Sequence, residues 1–248
     1  MFRGKTVYCN CDNPDESNFY RFFRENFDRL GLKKLIATGY SGRGRGTGVI
    51  FDGDEEQKFT LKEDGDFRSP ECLEFLDEAD VVVTNPPFSL FRDFMSMLVK
   101  HQKEFLVVGN MNAVGYKEIF PLIKDGELWL GTGDIRWFGR PGGEKERLGN
   151  VKWFTNLEHD KRNVPLELEK RYNPREYLKY DEYDAIEVSK VADIPVDYDG
   201  VMGVPISFLD KYCPEQFEII DLPPRRKLTL KRAGRSDPFS RIMIKRRG

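Results

Sequence analysis

The sequence predicts an α/β fold, a mostly parallel sheet with helices on both faces. Three observations carry this. Short apolar runs alternate with amphipathic, helix-length segments over roughly the first half of the chain. Runs such as Asp80-Val81-Val82-Val83-Thr84 read as strands buried on both sides. Finally, three polar segments follow strands or connections at the sheet edge where ligands collect: Asn10-Cys11-Asp12, Asp64-Gly65-Asp66-Phe67 and Asn85-Pro86-Pro87-Phe88.

The elements follow in order. Lys5-Thr6-Val7-Tyr8-Cys9-Asn10 is the first strand. Ser17 then caps one amphipathic helix, with Phe19, Phe22, Phe23, Phe27 and Leu30 on its core face and Gly31 as its stop. Lys34-Leu35-Ile36-Ala37-Thr38 is the second strand. A glycine-rich loop with Arg43 and Arg45 follows, then a β-hairpin insertion through Val49-Ile50-Phe51 and Lys58-Phe59-Thr60-Leu61. The glycines lack G-x-G-x-x-G spacing and no helix follows, so this is not a phosphate cradle. Ser69 caps a helix over Pro70–Glu78, and the valine strand comes next. Residues 91–98 and 116–123 are helices around a strand at Phe105-Leu106-Val107-Val108, and Leu128-Trp129-Leu130 is a further strand. The rhythm is lost after residue 133. The expected division is therefore a core over 1–133 and a region over 134–248 that completes the fold and reads the target.

Composition narrows the class. The chain has 248 residues, 39% hydrophobic and 33% charged, enough for a core in a well-charged protein. It has no span-length apolar stretch and no signal-peptide pattern, so a cytoplasmic location is expected. Cys9, Cys11, Cys72 and Cys213 show no C-x-x-C spacing. With only His101 and His159 to add, no metal site is expected. Ten Lys or Arg and one acid fall in residues 225–248, leaving 30 basic and 41 acidic residues before them. A basic end on an acidic body suits a polyanion partner, or is a solvated tail.

The tetrad Asn85-Pro86-Pro87-Phe88 matches the demands of methylating an exocyclic amine on a base. An adenine N6 is a poor nucleophile because its lone pair is delocalised into the ring. The Asn85 side-chain oxygen and the Pro86 carbonyl can each accept one N6 hydrogen and stabilise the developing positive charge. Two prolines fix φ and preset the turn, and Phe88 can stack on an extruded base. The bland alternative is a Pro-rich strand-to-helix turn with a buried Phe.

These residues carry a resemblance to the EcoRI-type adenine-specific DNA methyltransferases. It is sharpest over residues 80–91, D-V-V-V-T-N-P-P-F-S-L-F, and continues through Val7-Tyr8-Cys9-Asn10-Cys11-Asp12, Asp64-Gly65-Asp66-Phe67-Arg68-Ser69, Trp129-Leu130-Gly131, Tyr183-Asp184-Ala185-Ile186 and Gly200-Val201-Met202-Gly203-Val204-Pro205-Ile206. The resemblance implies a class I, Rossmann-like S-adenosylmethionine-dependent methyltransferase of a bacterial or phage restriction-modification system. It implies methylation of adenine N6 in double-stranded DNA with base flipping and without a covalent intermediate or metal. Catalysis falls to Asn85, Pro86, Pro87 and Phe88. Asn10, Cys11 and Asp12 replace the usual glycine-rich loop near the cofactor. Asp66 accepts from the cofactor's adenine amine, and Phe67 packs on that ring. Family members carry an upstream Asp-Glu-Phe-Tyr-Thr-like motif at the methionine end of the cofactor, which this sequence, opening Met1-Phe2-Arg3-Gly4, does not contain.

Arg136, Arg140, Arg225, Arg226, Lys227, Lys231, Arg232 and Arg235 are candidate phosphate contacts. No obligatory protein partner is expected, and a monomer is compatible with the sequence. The competing readings are an RNA or protein-amide methyltransferase and a non-catalytic or truncated DNA-binding relative. Asn110 and Asn112 read better as Asx-turn caps than as pocket residues, and Trp129 and Trp153 as packing; Trp137, in an Arg-containing loop, reads as either packing or base-stacking.

Overall fold

Val7, Tyr8 and Cys9 are wholly buried, and the sheet is built outward from them. In the computed structural model, residues 1–133, 135, 137–139, 145–147, 149–223, 228, 230 and 240–247 are described. The strands are β1 (Thr6–Cys9), β2 (Lys34–Gly39), β3 (Thr47–Phe51), β4 (Glu56–Thr60), β5 (Val81–Thr84), β6 (Glu104–Asn110), β7 (Trp129–Leu130), β8 (Trp137–Gly139), β9 (Lys145–Arg147) and β10 (Val151–Thr155). Eight of them form one sheet in the order β4-β3-β2-β1-β5-β6-β10-β7. β1 pairs in parallel with β2 and with β5, and β5 in parallel with β6. The hairpin β3–β4 extends the edge antiparallel to β2.

Alternation along β1 explains the two helical layers. Val7 and Cys9 join Phe23 and Phe27 from α1 (Asn18–Glu25) and α2 (Phe27–Leu30). Tyr8 points the other way, its ring 6.2 Å from Phe75 of α3 (Pro70–Glu78). β10 follows the same logic. Trp153 meets Phe19 of α1, while Phe154 meets Phe91 of α4 (Phe91–Lys100).

Three expectations are corrected. The helix expected after Ser17 is broken at Asn26, whose Nδ2 donates to the Phe22 carbonyl at 2.7 Å and so competes with the helical ladder. Phe22 is accordingly 48% exposed rather than in the core, while Gly31 (φ 64) does stop the second piece. Of residues 116–123 only α5 (Phe120–Lys124) belongs to an α-helix. A helix through the whole stretch would put Pro121 in its interior, without an N–H and against the carbonyl four residues back. Finally, the boundary expected at 133 lies elsewhere, because β10 pairs with β6 over five residues. One compact unit is Met1–Ile119 with Leu128–Glu158, and the other is Phe120–Glu127 with His159–Gly248.

The second unit has its own sheet, β11 (Ala185–Glu187), β12 (Val201–Pro205), β13 (Phe217–Asp221) and β14 (Arg241–Arg246), in the order β11-β12-β14-β13. A buried ion pair crosses it, Arg241 Nη2 to Glu187 Oε1 at 2.7 Å, with the Tyr180 hydroxyl also on Glu187. No helix among the described residues is long and apolar enough to cross a membrane.

Candidate active site

Every residue of β5 is buried, so the chain leaves the sheet at Thr84 with nowhere to place a polar group except its carboxyl edge. Asn85 emerges there half-buried, Pro86 is buried, and Pro87 (φ −56, ψ 124) opens a single 3-10 turn at Phe88–Leu90. The Leu90 N–H closes that turn on the Pro87 carbonyl at 2.9 Å, and α4 continues from it. Two side chains stand out. Phe88 is 39% exposed, which removes the buried-Phe reading. The Asn85 Oδ1 is buried with no hydrogen-bond partner among the described residues. A buried acceptor left unpaired costs about 1–3 kcal/mol, so this oxygen is suited to an incoming N–H.

Beside it, at the end of β1, Asn10 is 1% exposed, and neither its Nδ2 nor its Oδ1 has a partner among the described residues. Cys11 has φ 61, the left-handed backbone that a glycine normally supplies in such a turn. Its thiol is pushed well up by burial, with Asp12 next among the causes, and so stays protonated. Asp12 is 9% exposed and fully engaged: Oδ1 accepts from Ser17 Oγ at 2.9 Å, and Oδ2 lies 2.6 Å from Thr84 Oγ1. Burial pushes its carboxyl up to about 6, against the downward pull of hydrogen bonds from Thr84, Ser17 and the Asn85 backbone.

The third loop is drawn in by glycine. Gly65 has φ 85, and a Cβ there would meet the Gly39 carbonyl oxygen at 2.4 Å. Next to it Asp66 accepts from Arg68 Nη2 at 2.6 Å and from Arg68 Nε at 2.9 Å, which holds its carboxyl below the ordinary range. Phe67 is 3% exposed, its ring edge-on to Phe94 at 5.1 Å. Residue 67 thus faces inward and packs against α4.

The three segments thus meet at one end of one sheet. A scan against protein families matches residues 1–246 to the adenine-specific methyltransferase EcoRI family. This chain belongs to that family. Among curated relatives, the Type II methyltransferase M.EcoRI of Escherichia coli is 43% identical over 259 residues, covering 88% of this chain and 79% of that protein. Type II methyltransferase M.MpnI of Mycoplasma pneumoniae is 41% identical, covering 89% of this chain and 76% of its own length. M.MgeORF184P of Mycoplasma genitalium is 40% identical with the same coverage. No solved structure matches the chain.

As a member of the EcoRI family the chain is an adenine-specific methyltransferase, and two site residues escaped the sequence reading. Thr84 ends the valine strand, and a hydroxyl in a wholly buried position is itself a signal. Arg68, two residues after Asp66, holds that carboxylate through two hydrogen bonds that no local sequence signal announces. Asn110 does cap its own turn, accepting from the Asn112 N–H at 2.9 Å. Trp129 donates to the Leu157 carbonyl at 3.0 Å, a packing role. Arg136, Arg140, Arg225, Arg226, Lys227, Lys231, Arg232 and Arg235 all lie outside the described residues.

Proposed function

We propose that the chain transfers the methyl group of S-adenosylmethionine to N6 of an adenine flipped out of double-stranded DNA. The buried Asn85 Oδ1, without a partner among the described residues, beside an exposed Phe88 carries the reading. The oxygen accepts one N6 hydrogen, the Pro86 carbonyl accepts the other, and Phe88 stacks on the base. Drawing on both hydrogens turns the nitrogen lone pair toward the methyl donor and spreads the charge that forms.

The residues present fit the donor. Asn10, with both amide atoms unpartnered among the described residues at 1% exposure, is suited to a polar ligand, and Cys11 adopts the left-handed backbone that a glycine-rich turn would use. Asp66, kept anionic by Arg68, is an acceptor for an amine. When bound, S-adenosylmethionine supplies an already activated methyl group on a sulfonium. The chain's own work is alignment and electrostatic support. The Type II methyltransferase relatives support DNA as the acceptor.

Tritiated methyl transfer to duplex DNA tests this, with Asn85→Ala as the control. Loss of about 100- to 1,000-fold in kcat with DNA affinity retained is expected, the usual effect of removing one transition-state hydrogen-bond partner. A variant with near-normal turnover, or label found only on RNA or protein, would sink the assignment.

A further inference from the structure

Thr84 has one hydroxyl hydrogen and touches two acceptors. Its Oγ1 is 2.6 Å from Asp12 Oδ2 and also contacts the Asn10 carbonyl. The carbonyl has no hydrogen to give, so the Thr84 hydrogen satisfies it. The contact to Asp12 then closes only if the carboxyl brings its own hydrogen. The other carboxyl oxygen cannot hold that hydrogen. Ser17 Oγ accepts the N–H groups of Phe19 and Tyr20, each at 3.1 Å, as the cap of α1. Its single hydrogen is left to point at Asp12 Oδ1. Oδ1 is an acceptor, and the proton belongs on Oδ2.

We propose that Asp12 is a positioning residue, protonated on Oδ2, that donates to Thr84 and thereby holds the catalytic turn against the end of β1. The inference rests on the functional reading above, since it takes the Asn85 turn as the catalytic one. Three elements converge on this one side chain: α1 through Ser17, β5 through Thr84, and the tetrad through the Asn85 backbone N–H. The parallel register Val7↔Val81 and Tyr8↔Val82, carried two residues on, sets Asn10 abreast of Thr84. A shift of Asp12 is therefore a shift of Asn85. With both oxygens engaged inside the protein, Asp12 is a poor cofactor ligand.

The surroundings favour a neutral acid. Among the described residues, the titratable groups facing it are Cys9 and Cys11 on its own strand and turn, both kept protonated by burial. From α1 it meets the Ser17 hydroxyl, and from β5 the Thr84 hydroxyl and the Asn85 N–H. Its own N–H is spent on the Thr38 carbonyl of β2 at 3.0 Å. Among the described residues, no cation figures in what sets its proton affinity.

The test compares the full-length wild type with Asp12→Ala, Asp12→Asn and Thr84→Val, each checked for folding by circular dichroism. Methyl transfer to duplex DNA gives kcat and KM, and calorimetry gives the Kd of S-adenosylmethionine. Asp12→Ala and Thr84→Val should lose about 10- to 100-fold in kcat, as small misplacements of catalytic groups do, with cofactor Kd within about twofold. Asp12→Asn, whose Nδ2–H replaces the carboxyl O–H, should exceed the Ala variant by about tenfold. Its kcat should also lack the fall with rising pH that the wild type shows as Asp12 ionises. An Ala variant with intact kcat and weakened cofactor binding overturns the proposal in favour of a ligand role. An Asn variant as slow as Ala overturns the proton. If Ala does not fold, superimposable pH profiles for wild type and Asn are enough to refute it. A wild type that transfers no methyl group at all refutes the function instead. The proton on Asp12 is then decided by the pH dependence of melting.

Discussion

That melting experiment can be worked through from the structure. Asp12 is almost fully buried, and its carboxyl is raised from the usual 3.8 to about 6. Because the folded value lies above the unfolded one, the neutral acid is the form the fold prefers. Its stabilising contribution is complete below about pH 4 and is lost as pH rises through about 6. A shift of about two units corresponds to ~3 kcal/mol, a substantial part of the roughly 5–15 kcal/mol that holds a folded protein together. Asparagine in its place cannot ionise. Its Oδ1 still accepts from Ser17, and its Nδ2 still donates toward Thr84. Wild type and Asp12→Asn should therefore have similar stability near pH 4, and by pH 8 the variant should be ahead by up to ~3 kcal/mol. At roughly 2–4 °C per kcal/mol for a chain of this size, the gap in Tm is about 6–12 °C. Urea unfolding from pH 4 to 8, with equal m-values in the two proteins, gives the same quantity independently. A stability difference that does not change with pH, or a wild type more stable at pH 8, would refute the argument that this carboxyl is held neutral.

Other consequences reach the remaining parts of the site. Phe88→Ala should weaken capture of an extruded base by about 1–3 kcal/mol, roughly 5- to 150-fold, without lowering Tm. The fluorescence of 2-aminopurine at the target adenine reports it, and an unchanged flipping signal would count against stacking. Gly65→Ala places a Cβ 2.4 Å from the Gly39 carbonyl at φ 85, so it should distort the loop bearing Asp66 and weaken S-adenosylmethionine binding in calorimetry. An Ala variant with wild-type affinity and Tm would show that the loop is not held as described. The eight basic candidates from Arg136 to Arg235 should give a salt slope as steep as about −7 in log K against log[salt] if all meet phosphate. Replacing Arg225, Arg226 and Lys227 together should flatten it by about 3. A slope unaffected by the triple change would leave those three as solvated charges.

The sequence was legible where local chemistry and tertiary demand agree. Ser17 and Ser69 cap helices because a hydroxyl before an amphipathic segment has an orphan N–H to meet, and both do so here. The valine run of β5 is buried along its whole length, as its composition requires. Failures came where a long-range partner decides. Nothing local says that Val151–Thr155 returns to pair with β6 across some forty residues of Gly-rich chain.

The site's selectivity follows from which polar groups are left unpaired. Among the described residues, Asn85 Oδ1 and both side-chain polar atoms of Asn10 are buried without partners, whereas Asp12 has its partners within the protein. Groups that the fold leaves open are suited to ligands. An orphan acceptor also discriminates. A base with an exocyclic amine relieves Asn85, while one presenting a carbonyl at the same place sets oxygen against oxygen and leaves the desolvation penalty standing. Sites built to hydrogen-bond a substrate N–H reject analogues lacking it by far more than an apolar pocket rejects a missing methylene. An oligonucleotide with hypoxanthine in place of the target adenine should therefore flip and stack on Phe88 yet bind more weakly than the adenine duplex. Asn85→Ala should narrow that difference, because the alanine variant keeps only the Pro86 carbonyl of the two acceptors.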